Sequence, residues 1–208
     1  MTYERLTSDN AAVLFVDHQS GLCNGVRDQS MLEFLNGVTA LAKLAKSFGL
    51  QAILTSSAAD GPNGPLLPAL TALLPDAQQV ARPGEINAWD NAEFVEAVKQ
   101  TGRRKLIVAG VSTEVCLAFV TLAAAAAGYE VYAVIDASGT WNKLVQEVAV
   151  ARMVQAGVRP ITWVAVGAEL MGDWRSPHAK SHGEMMSQHL PFHGNLVASF
   201  DAARREQR

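Results

Sequence analysis

Two strand-like segments of the chain lead into residues that could carry acid–base and nucleophilic chemistry. Asp17 directly follows an apolar run at residues 11–16, and Cys116 lies shortly after an apolar run at residues 105–111. A thiolate is a strong nucleophile, and a neighbouring carboxylate can take the thiol proton and later pass it to a leaving amine. The sequence therefore presents Cys116 as a candidate nucleophile and Asp17 as its candidate general acid/base.

Structural roles for the same residues stay open at this point. A cysteine after a strand is more often a small buried apolar residue than a catalytic one, and an aspartate at a strand end commonly caps a loop. The other cysteine, Cys23, follows no comparable strand end, so we interpret it as structural.

The elements that would position Asp17 and Cys116 follow an alternating pattern. Short apolar runs alternate with amphipathic stretches, which predicts an α/β fold: a doubly wound, six-stranded parallel sheet with helices on both faces, in a Rossmann-like three-layer sandwich. We expect strands at residues 11–16, 51–56, 79–81, 105–111, 130–135 and 160–164, and helices at 31–48, 66–74, 91–100, 113–127 and 144–155.

This topology predicts where the chemistry lies. The first and fourth strands are usually neighbours across the point where strand order reverses, and ligands bind there at the carboxyl ends of the strands. Asp17 and Cys116 would then be close although they are far apart in the chain. Cys116 would also lie in the first turn of the helix at 113–127, where free N–H groups and the helix dipole are expected to lower a thiol's pKa.

The chain divides by pattern into a domain at residues 1–166 and a C-terminal tail at residues 167–208. The tail has weak periodicity and two proline breaks, yet it contains many large apolar residues that need a surface to cover. We expect the tail to pack on its own domain or on a neighbouring subunit, and we favour the neighbouring subunit. The apolar residues concerned are Met171, Trp174, Met185, Met186, Leu190, Phe192, Leu196 and Phe200.

Composition excludes several classes of partner. The formal net charge is −3, and 18% of residues are charged, so we expect neither nucleic acid nor an anionic membrane as a partner. No apolar run approaches the length of a membrane span, and the first five residues lack the basic-then-apolar order of a signal peptide. We expect a cytoplasmic protein with reduced thiols that acts on a small molecule.

Several motifs, in order along the chain, resemble the isochorismatase-like cysteine hydrolase superfamily, and more closely its YcaC-like branch. The superfamily motifs are VDHQ at 16–19, ARPG at 81–84 and AGVSTEVC at 109–116. The branch motifs are GPNGPL at 61–66, RPGEINAWDN at 82–91 and DASGT at 136–140. Ordered motifs spread over nearly the whole chain are far more specific than any one of them alone.

The resemblance implies roles for particular residues. Asp17 would be the general acid/base, Cys116 the nucleophile, and Arg82 would take the place of the family's lysine; without the resemblance, a surface salt bridge is the simpler interpretation of Arg82. A non-proline cis peptide is implied at Val111–Ser112, where it would direct N–H groups into an oxyanion hole, together with that of Cys116.

Asn87 and Trp89 follow Arg82 closely, and we expect them to line the substrate pocket, although Trp89 could instead belong to the core or to an interface. The resemblance also implies a large symmetric homo-oligomer, such as an octamer. A cysteine nucleophile favours amide hydrolysis over the vinyl-ether cleavage of isochorismatases proper.

Neither a metal nor a cofactor is expected. His18 is the first histidine and the next is His178, so the region after the second strand cannot supply the three or four ligands of a zinc site. The late histidines His178, His182, His189 and His193 are interpreted as exposed surface residues because prolines and a glycine interrupt their segment. No glycine-rich phosphate loop is present, which argues against a nucleotide or flavin cofactor.

The sequence therefore predicts a metal-independent hydrolase that cleaves a C–N bond of a small amide through a Cys116 acyl-enzyme. The alternative is an oligomeric small-molecule-binding or redox-sensing protein in which Cys116 reacts but does not turn over.

Overall fold

The structure is a computed structural model that describes residues 3–206. The amino-terminal pattern considered above includes Met1 and Thr2, and the tail includes residues 207 and 208; these four lie outside the described range. Within it, the strands are β1 (Ala11–Val16), β2 (Gln51–Ser57), β3 (Gln78–Arg82), β4 (Lys105–Gly110), β5 (Glu130–Val134) and β6 (Arg159–Ile161).

The helices of residues 3–206 lie between and after these strands. They are α1 (Ser20–Cys23), α2 (Met31–Phe48), α3 (Pro68–Leu73), α4 (Ala92–Gln100), α5 (Ala118–Ala126), α6 (Lys143–Gln155), α7 (Trp163–Met171), α8 (Ala179–His189) and α9 (Pro191–Glu206). Short 3₁₀ turns occur at Ala88–Asp90 and Ile135–Ala137, and a π turn at Thr113–Leu117. Among these described residues, no helix has both the length and the apolar character needed to cross a bilayer.

All six strands of the described range pair in parallel in the order β3-β2-β1-β4-β5-β6. The predicted doubly wound sheet is thus confirmed. β1 and β4 are adjacent, with Val16 opposite Gly110, and the chain winds outward from them in both directions. The carboxyl ends of β1 and β4 therefore mark the point where strand order reverses, which is where such sheets bind ligands.

The sheet separates two hydrophobic cores because side chains alternate between the faces of a strand. On β1, Val13 and Phe15 pack into one core, and Leu14 and Val16 into the other. The first core is covered by α2, α3, α7 and α8, and the second by α4, α5 and α6. All six residues of β1 are buried, as expected for a central parallel strand covered on both faces.

Helix α2 has the predicted bounds because its sequence contains both end signals. The Ser30 hydroxyl accepts the N–H of Glu33 while the Glu33 carboxylate accepts the N–H of Ser30, which is a capping box. Gly49 ends the helix with φ 65°, in the left-handed conformation that glycine adopts without steric cost. A Cβ atom on Gly37 would lie 2.0 Å from the carbonyl oxygen of Asp136, so this glycine allows α2 to pack directly on the turn after β5.

The C-terminal region differs from its predicted form. β6 ends at Ile161 rather than at residue 164, because the Thr162 side chain accepts the N–H of Ala165 and begins α7. Helix α7 runs across the predicted boundary at residues 166/167, and the rest of the tail forms α8 and α9 instead of an irregular segment. Met185 and Met186 of α8 pack into the first core of this chain, whereas Phe192, Leu196 and Phe200 of α9 are exposed.

Candidate active site

Asp17 occupies the first position after β1 and is almost completely buried, with 1% of its surface exposed. Its N–H donates to the carbonyl of Thr55 at 2.9 Å, which extends the β1–β2 ladder by one step. The backbone then turns with φ 56° at Asp17, a left-handed conformation that aspartate tolerates better than most residues with a Cβ atom. The turn ends the strand and leaves the carboxylate at its carboxyl end.

Cys116 lies in an irregular turn that follows β4. The strand ends at Gly110, and the Val111–Ser112 peptide bond is cis, at the position where the resemblance implies a cis bond. The N–H of Leu117 donates to the carbonyl of Ser112 at 3.1 Å, which gives a π turn before α5 begins at Ala118. Cys116 does lie in the first turn of the helical segment, as predicted, but the prediction of one regular α-helix over residues 113–127 is wrong because that first turn is a π turn.

Gly110 allows the π turn to lie tightly against the end of β4. A Cβ atom at this position would be 3.0 Å from the backbone nitrogen of Leu117 and 3.2 Å from the carbonyl oxygen of Val16. The N–H of Thr113 also donates to the carbonyl of Gly139 at 3.0 Å. The turn is thus held between β1, β4 and the loop after β5, which fixes Cys116 relative to Asp17.

Arg82 is the last residue of β3 and is buried, with 2% of its surface exposed. Its guanidinium forms an ion pair with Asp17, donates from Nε to the Thr55 hydroxyl at 3.0 Å, and donates to the carbonyl of Glu85. A planar fork of donors can make these three contacts together. The surface salt bridge considered for Arg82 from the sequence alone is therefore wrong.

The Cys116 thiol and the Asp17 carboxyl affect each other's pKa in opposite directions. Burial raises the pKa of Asp17, and the charge and hydrogen bond of Arg82, together with a hydrogen bond from the Cys116 thiol, oppose that rise. Burial likewise raises the pKa of Cys116, and the Asp17 carboxylate raises it further. The lowered thiol pKa expected from a helix start is therefore not found, because burial and the adjacent anion dominate.

Of the two backbone N–H groups expected from the cis peptide to form an oxyanion site, one is directed toward the thiol and the other is not. The N–H of Ser112 opposes the rise in the pKa of Cys116 through a hydrogen bond to the sulfur, so it is directed into the site. The N–H of Val111 donates to the carbonyl of Val16 at 3.1 Å and is not free for an oxyanion. Val111 contributes to the site as part of the cavity wall instead.

A cavity of about 410 Å³ opens over Asp17 and Cys116, in the lower part of the usual range for small-molecule sites. Ser112 and Thr140 line it together with Cys116, and Ile86 and Trp141 are two exposed residues of its wall. The other lining residues are Gly21, Leu22, Gly25, Val26, Ser57, Asn63, Val111, Val115 and Gly139. The wall is therefore mostly apolar.

Asn87 and Trp89, which we expected in the pocket, do not line this cavity. The Asn87 side chain accepts the N–H of Trp89 at 3.1 Å and caps the 3₁₀ turn. The Trp89 ring is partly buried, packs edge-on against Phe94 and Tyr129 and covers the second core. The local capping and packing requirements of this turn, rather than a ligand, account for both side chains.

One buried network supports the cavity wall and was not identified from the sequence. The Gln19 side chain donates to the carbonyls of Ser57 and Gly64, at 3.1 and 2.6 Å, and accepts the N–H of Ser57 at 2.8 Å. Asn63 also donates to the carbonyl of Ser57, at 2.9 Å. The motifs at 16–19 and 61–66 contained this signal, since a buried amide beside a glycine- and proline-rich loop commonly satisfies backbone groups.

No group of three or more His, Cys, Asp and Glu side chains that could hold a metal occurs among residues 3–206. His18 is fully buried between Phe15 and Phe34, with its Nε2 2.9 Å from the carbonyl oxygen of Ala137. Burial lowers the pKa of His18 to about 4, so the ring is neutral near pH 7.

The exposed-surface interpretation of the late histidines is wrong for two of them. His182 and His189 are buried on α8, because the helix continues through Gly183 and turns both rings toward aromatic residues of the chain. His182 packs on Phe48 and His189 on Trp163. The prolines that suggested an irregular segment lie outside α8.

Comparison with known proteins identifies close relatives over the whole chain. The isochorismatase domain model matches residues 11–165. The probable hydrolase YcaC of Escherichia coli is 49% identical over 205 residues, which cover 99% of this chain and 98% of that protein.

Two solved structures have nearly the same fold. YcaC from Pseudomonas aeruginosa, solved with hexane-2,5-diol and covalent acrylamide, has a TM-score of 0.94 and 53% identity, covering 97% of this chain and 99% of that one. The Escherichia coli YcaC gene product, described as an octameric hydrolase of unknown specificity, has a TM-score of 0.94 and 51% identity, covering 98% and 99%.

The coupling between Asp17 and Cys116 predicts the effect of Asp17→Asn. Removing the anion that raises the thiol's pKa, and leaving Arg82 without its partner, should lower the pKa of Cys116. Thiolate absorbance in the ultraviolet, taken as the difference from the matching Cys116→Ala protein, should then begin at lower pH. Asp60→Asn, at an exposed site, is the control; an unchanged or later onset in Asp17→Asn would contradict the coupling.

Proposed function

The chain belongs to the isochorismatase family, and from that premise we propose that it cleaves the C–N bond of a small amide through a Cys116 acyl-enzyme, without a metal. The observation that carries the proposal is the buried contact between the Cys116 thiol and the Asp17 carboxyl, beside an apolar cavity. The acrylamide held covalently by the Pseudomonas aeruginosa relative is itself a small amide, which supports a site of this kind.

In the first half of the reaction, the Asp17 carboxylate accepts the thiol proton as the sulfur attacks the carbonyl carbon. A C–S bond forms, and the carbonyl π electrons move to oxygen, where the N–H of Ser112 stabilises the developing charge. The tetrahedral species then collapses: the C–N bond breaks, and Asp17 donates its proton to the departing nitrogen. The raised pKa of Asp17 favours this step, because a carboxyl that holds its proton more firmly is a better match for acid–base exchange near neutral pH.

In the second half, the thioester is hydrolysed. Asp17 accepts a proton from water as the water oxygen attacks the acyl carbon, and the C–S bond breaks when the second tetrahedral species collapses. The proton returns from Asp17 to the sulfur. The products are a carboxylic acid and an amine or ammonia, and the enzyme regains its starting protonation state.

Arg82 acts through Asp17 in this scheme and does not contact the reacting atoms. Its ion pair holds one carboxylate oxygen, which leaves the carboxyl oriented toward the thiol. Its positive charge also limits the rise in the pKa of Asp17, so that the carboxyl can still ionise between the two halves of the reaction.

The alternative role, a redox-sensing or binding protein, has less support. Redox-sensor cysteines have low pKa values and are accessible to solvent, whereas Cys116 is 9% exposed and burial raises its pKa.

Intact-protein mass spectrometry during incubation with small amides tests the proposed function. We expect a transient acyl mass on Cys116 and release of the acid, unchanged after dialysis against a chelator. Cys116→Ala should lose turnover by about 10⁴-fold or more, and Cys23→Ala, which changes the other buried cysteine, should keep it. Full turnover by Cys116→Ala contradicts the proposal. Oxidation of Cys116 by peroxide with no acyl mass from any amide favours the alternative.

Substitution of Arg82 tests its positioning role. Arg82→Lys keeps the charge but cannot make all three contacts, so kcat should fall by roughly ten- to hundredfold through misplacement of Asp17. Arg82→Met leaves Asp17 buried and unpaired, and should lower kcat further while moving the pH optimum upward. Arg104→Lys, at an exposed ion pair, is the control. A normal rate and pH profile for Arg82→Met would contradict the role.

The proposal includes a homo-oligomer, as in the octameric Escherichia coli relative, with α9 contacting a second copy of the chain. Phe192, Leu196 and Phe200 are spaced by four residues on α9 and are 66, 64 and 60% exposed, which places them on one face of the helix. An apolar face of this kind marks an association site. The tail would then pack on its own domain through α8 and on a neighbour through α9.

Light scattering measures this assembly directly. Leu196→Ser combined with Phe200→Ser should reduce the oligomer's mass while leaving the circular dichroism of the subunit unchanged, because both positions are exposed. Asn195→Ser, an exposed polar residue on the same helix, should have no effect. An unchanged mass in the double variant would exclude α9 from the interface.

A further inference from the structure

Two residues that line the cavity have hydroxyl groups that donate to one carboxylate. The Ser112 hydroxyl donates to Oε1 of Glu114 at 2.9 Å, and the Thr140 hydroxyl donates to Oε2 of the same side chain at 2.7 Å. A hydroxyl has one proton and two lone pairs. With both protons directed at Glu114, Ser112 and Thr140 can offer a bound molecule only hydrogen-bond acceptors.

Thr140 is held firmly in this position. Its N–H donates to the Asp28 carboxylate at 2.9 Å, and its carbonyl accepts the N–H groups of Arg27 and Asp28 at 2.7 and 3.1 Å. The other Asp28 oxygen accepts from Gln146 of α6 at 2.8 Å. The residue is 2% exposed, so its hydroxyl is part of a rigid wall and cannot turn outward to satisfy itself in solvent.

The charges around the cavity also restrict which molecules can bind. Among residues 3–206, no lysine, arginine or histidine lines the cavity, and the nearby Arg82 guanidinium already binds Asp17, Thr55 and Glu85. A carboxylate on a bound molecule would lose its hydration and meet the Asp17 anion without a compensating cation, which is costly at a buried site.

We propose that the substrate is a small, uncharged carboxamide with an apolar acyl group, and that Thr140 and Ser112 recognise its N–H because Glu114 holds both hydroxyls as acceptors. The inference rests on the proposed amide hydrolysis and specifies its substrate class. The apolar acyl group would lie against Leu22, Val26 and Trp141 of the cavity wall. Thr140 and Ser112 are the specificity residues, and Glu114 is a positioning residue that acts through them.

Matched pairs of acrylic compounds separate these recognition features. N-methylacrylamide and methyl acrylate have nearly the same shape, but the first has an N–H where the second has its ester oxygen. Acrylamide and acrylate differ in charge. Each reacts when the Cys116 sulfur bonds to the terminal alkene carbon and the thiol proton ends on the carbon next to the carbonyl. Peptide mass spectrometry measures the rate at which each compound labels Cys116. Dividing that rate by the compound's rate with N-acetylcysteine corrects for its intrinsic reactivity.

We expect a normalised preference of about tenfold or more for N-methylacrylamide over methyl acrylate, as for one well-placed hydrogen bond, and a similar or larger preference for acrylamide over acrylate. Thr140→Val, which keeps the shape and removes the acceptor, should bring the first preference close to one and leave the second. Glu114→Gln should also weaken the preference for N-methylacrylamide. The glutamine N–H₂ would donate to one of the two hydroxyls, and that hydroxyl would then turn its own proton toward the cavity. Thr121→Val, a buried threonine of α5 whose hydroxyl donates to Ala118, should change neither.

The outcomes separate this inference from the proposed function. Suppose that saturated amides are hydrolysed through Cys116. Equal normalised rates for N-methylacrylamide and methyl acrylate, or a preference that survives in Thr140→Val, would then overturn the inference and leave the proposed function standing. Faster normalised labelling by acrylate than by acrylamide overturns the uncharged class. A clear N–H preference without acylation by any saturated amide overturns the proposed function, and with it the assignment of these residues to a substrate.

Discussion

Asp17 and Arg82 form an ion pair that is almost completely removed from water, and the architecture around the site is consistent with that pairing. Taking one of these charges into the interior alone would cost several kcal/mol, so each depends on the other for its position. Their strands are separated by β2, and Thr55 of β2 contacts both: its carbonyl accepts from Asp17 and its hydroxyl from Arg82. Three adjacent strand ends are thereby joined at one buried point.

The carboxyl end of β4 brings the Cys116 thiol to this ion pair. β4 lies on the other side of β1, and the π turn after it places Cys116 against the carboxylate that Arg82 holds. The small residue Gly110 is needed because the turn lies within about van der Waals distance of the strand end. Position in the sheet thus accounts for the assembly of the three groups, and side-chain chemistry accounts for what they can do together.

Much of this arrangement could be predicted from the sequence, and the remainder depends on tertiary contacts. Apolar periodicity and end signals predicted β1 and α2 with their observed bounds, and the winding rule predicted the adjacency of β1 and β4. The π turn could not be predicted, because residues 113–127 have the apolar pattern of an ordinary helix. The rings of His182 and His189 are buried by a core that α8 reaches only in the folded chain.

Some residues of the site could likewise be identified from the sequence, and others could not. Asp17 and Cys116 are visible as strand-end residues, and Arg82 as a member of a motif. Asn87 and Trp89 lie near Arg82 in sequence, but a 3₁₀ turn directs them into capping and packing. The shared carboxylate of Glu114 could not be inferred at all, since it requires the turn after β4 and the loop after β5 to meet.

A thiol with a raised pKa is compatible with the proposed nucleophilic role of Cys116 because the proposed proton acceptor, Asp17, is already in contact with it. Thiolate nucleophilicity falls as thiol pKa falls, so a thiol that ionises only when its proton can pass to Asp17 provides a strong nucleophile at the moment of attack. Burial that keeps Cys116 protonated also limits its oxidation. In the proposed mechanism the substrate's own carbonyl then makes the transfer favourable, because the negative charge leaves the sulfur for an oxygen that faces the N–H of Ser112.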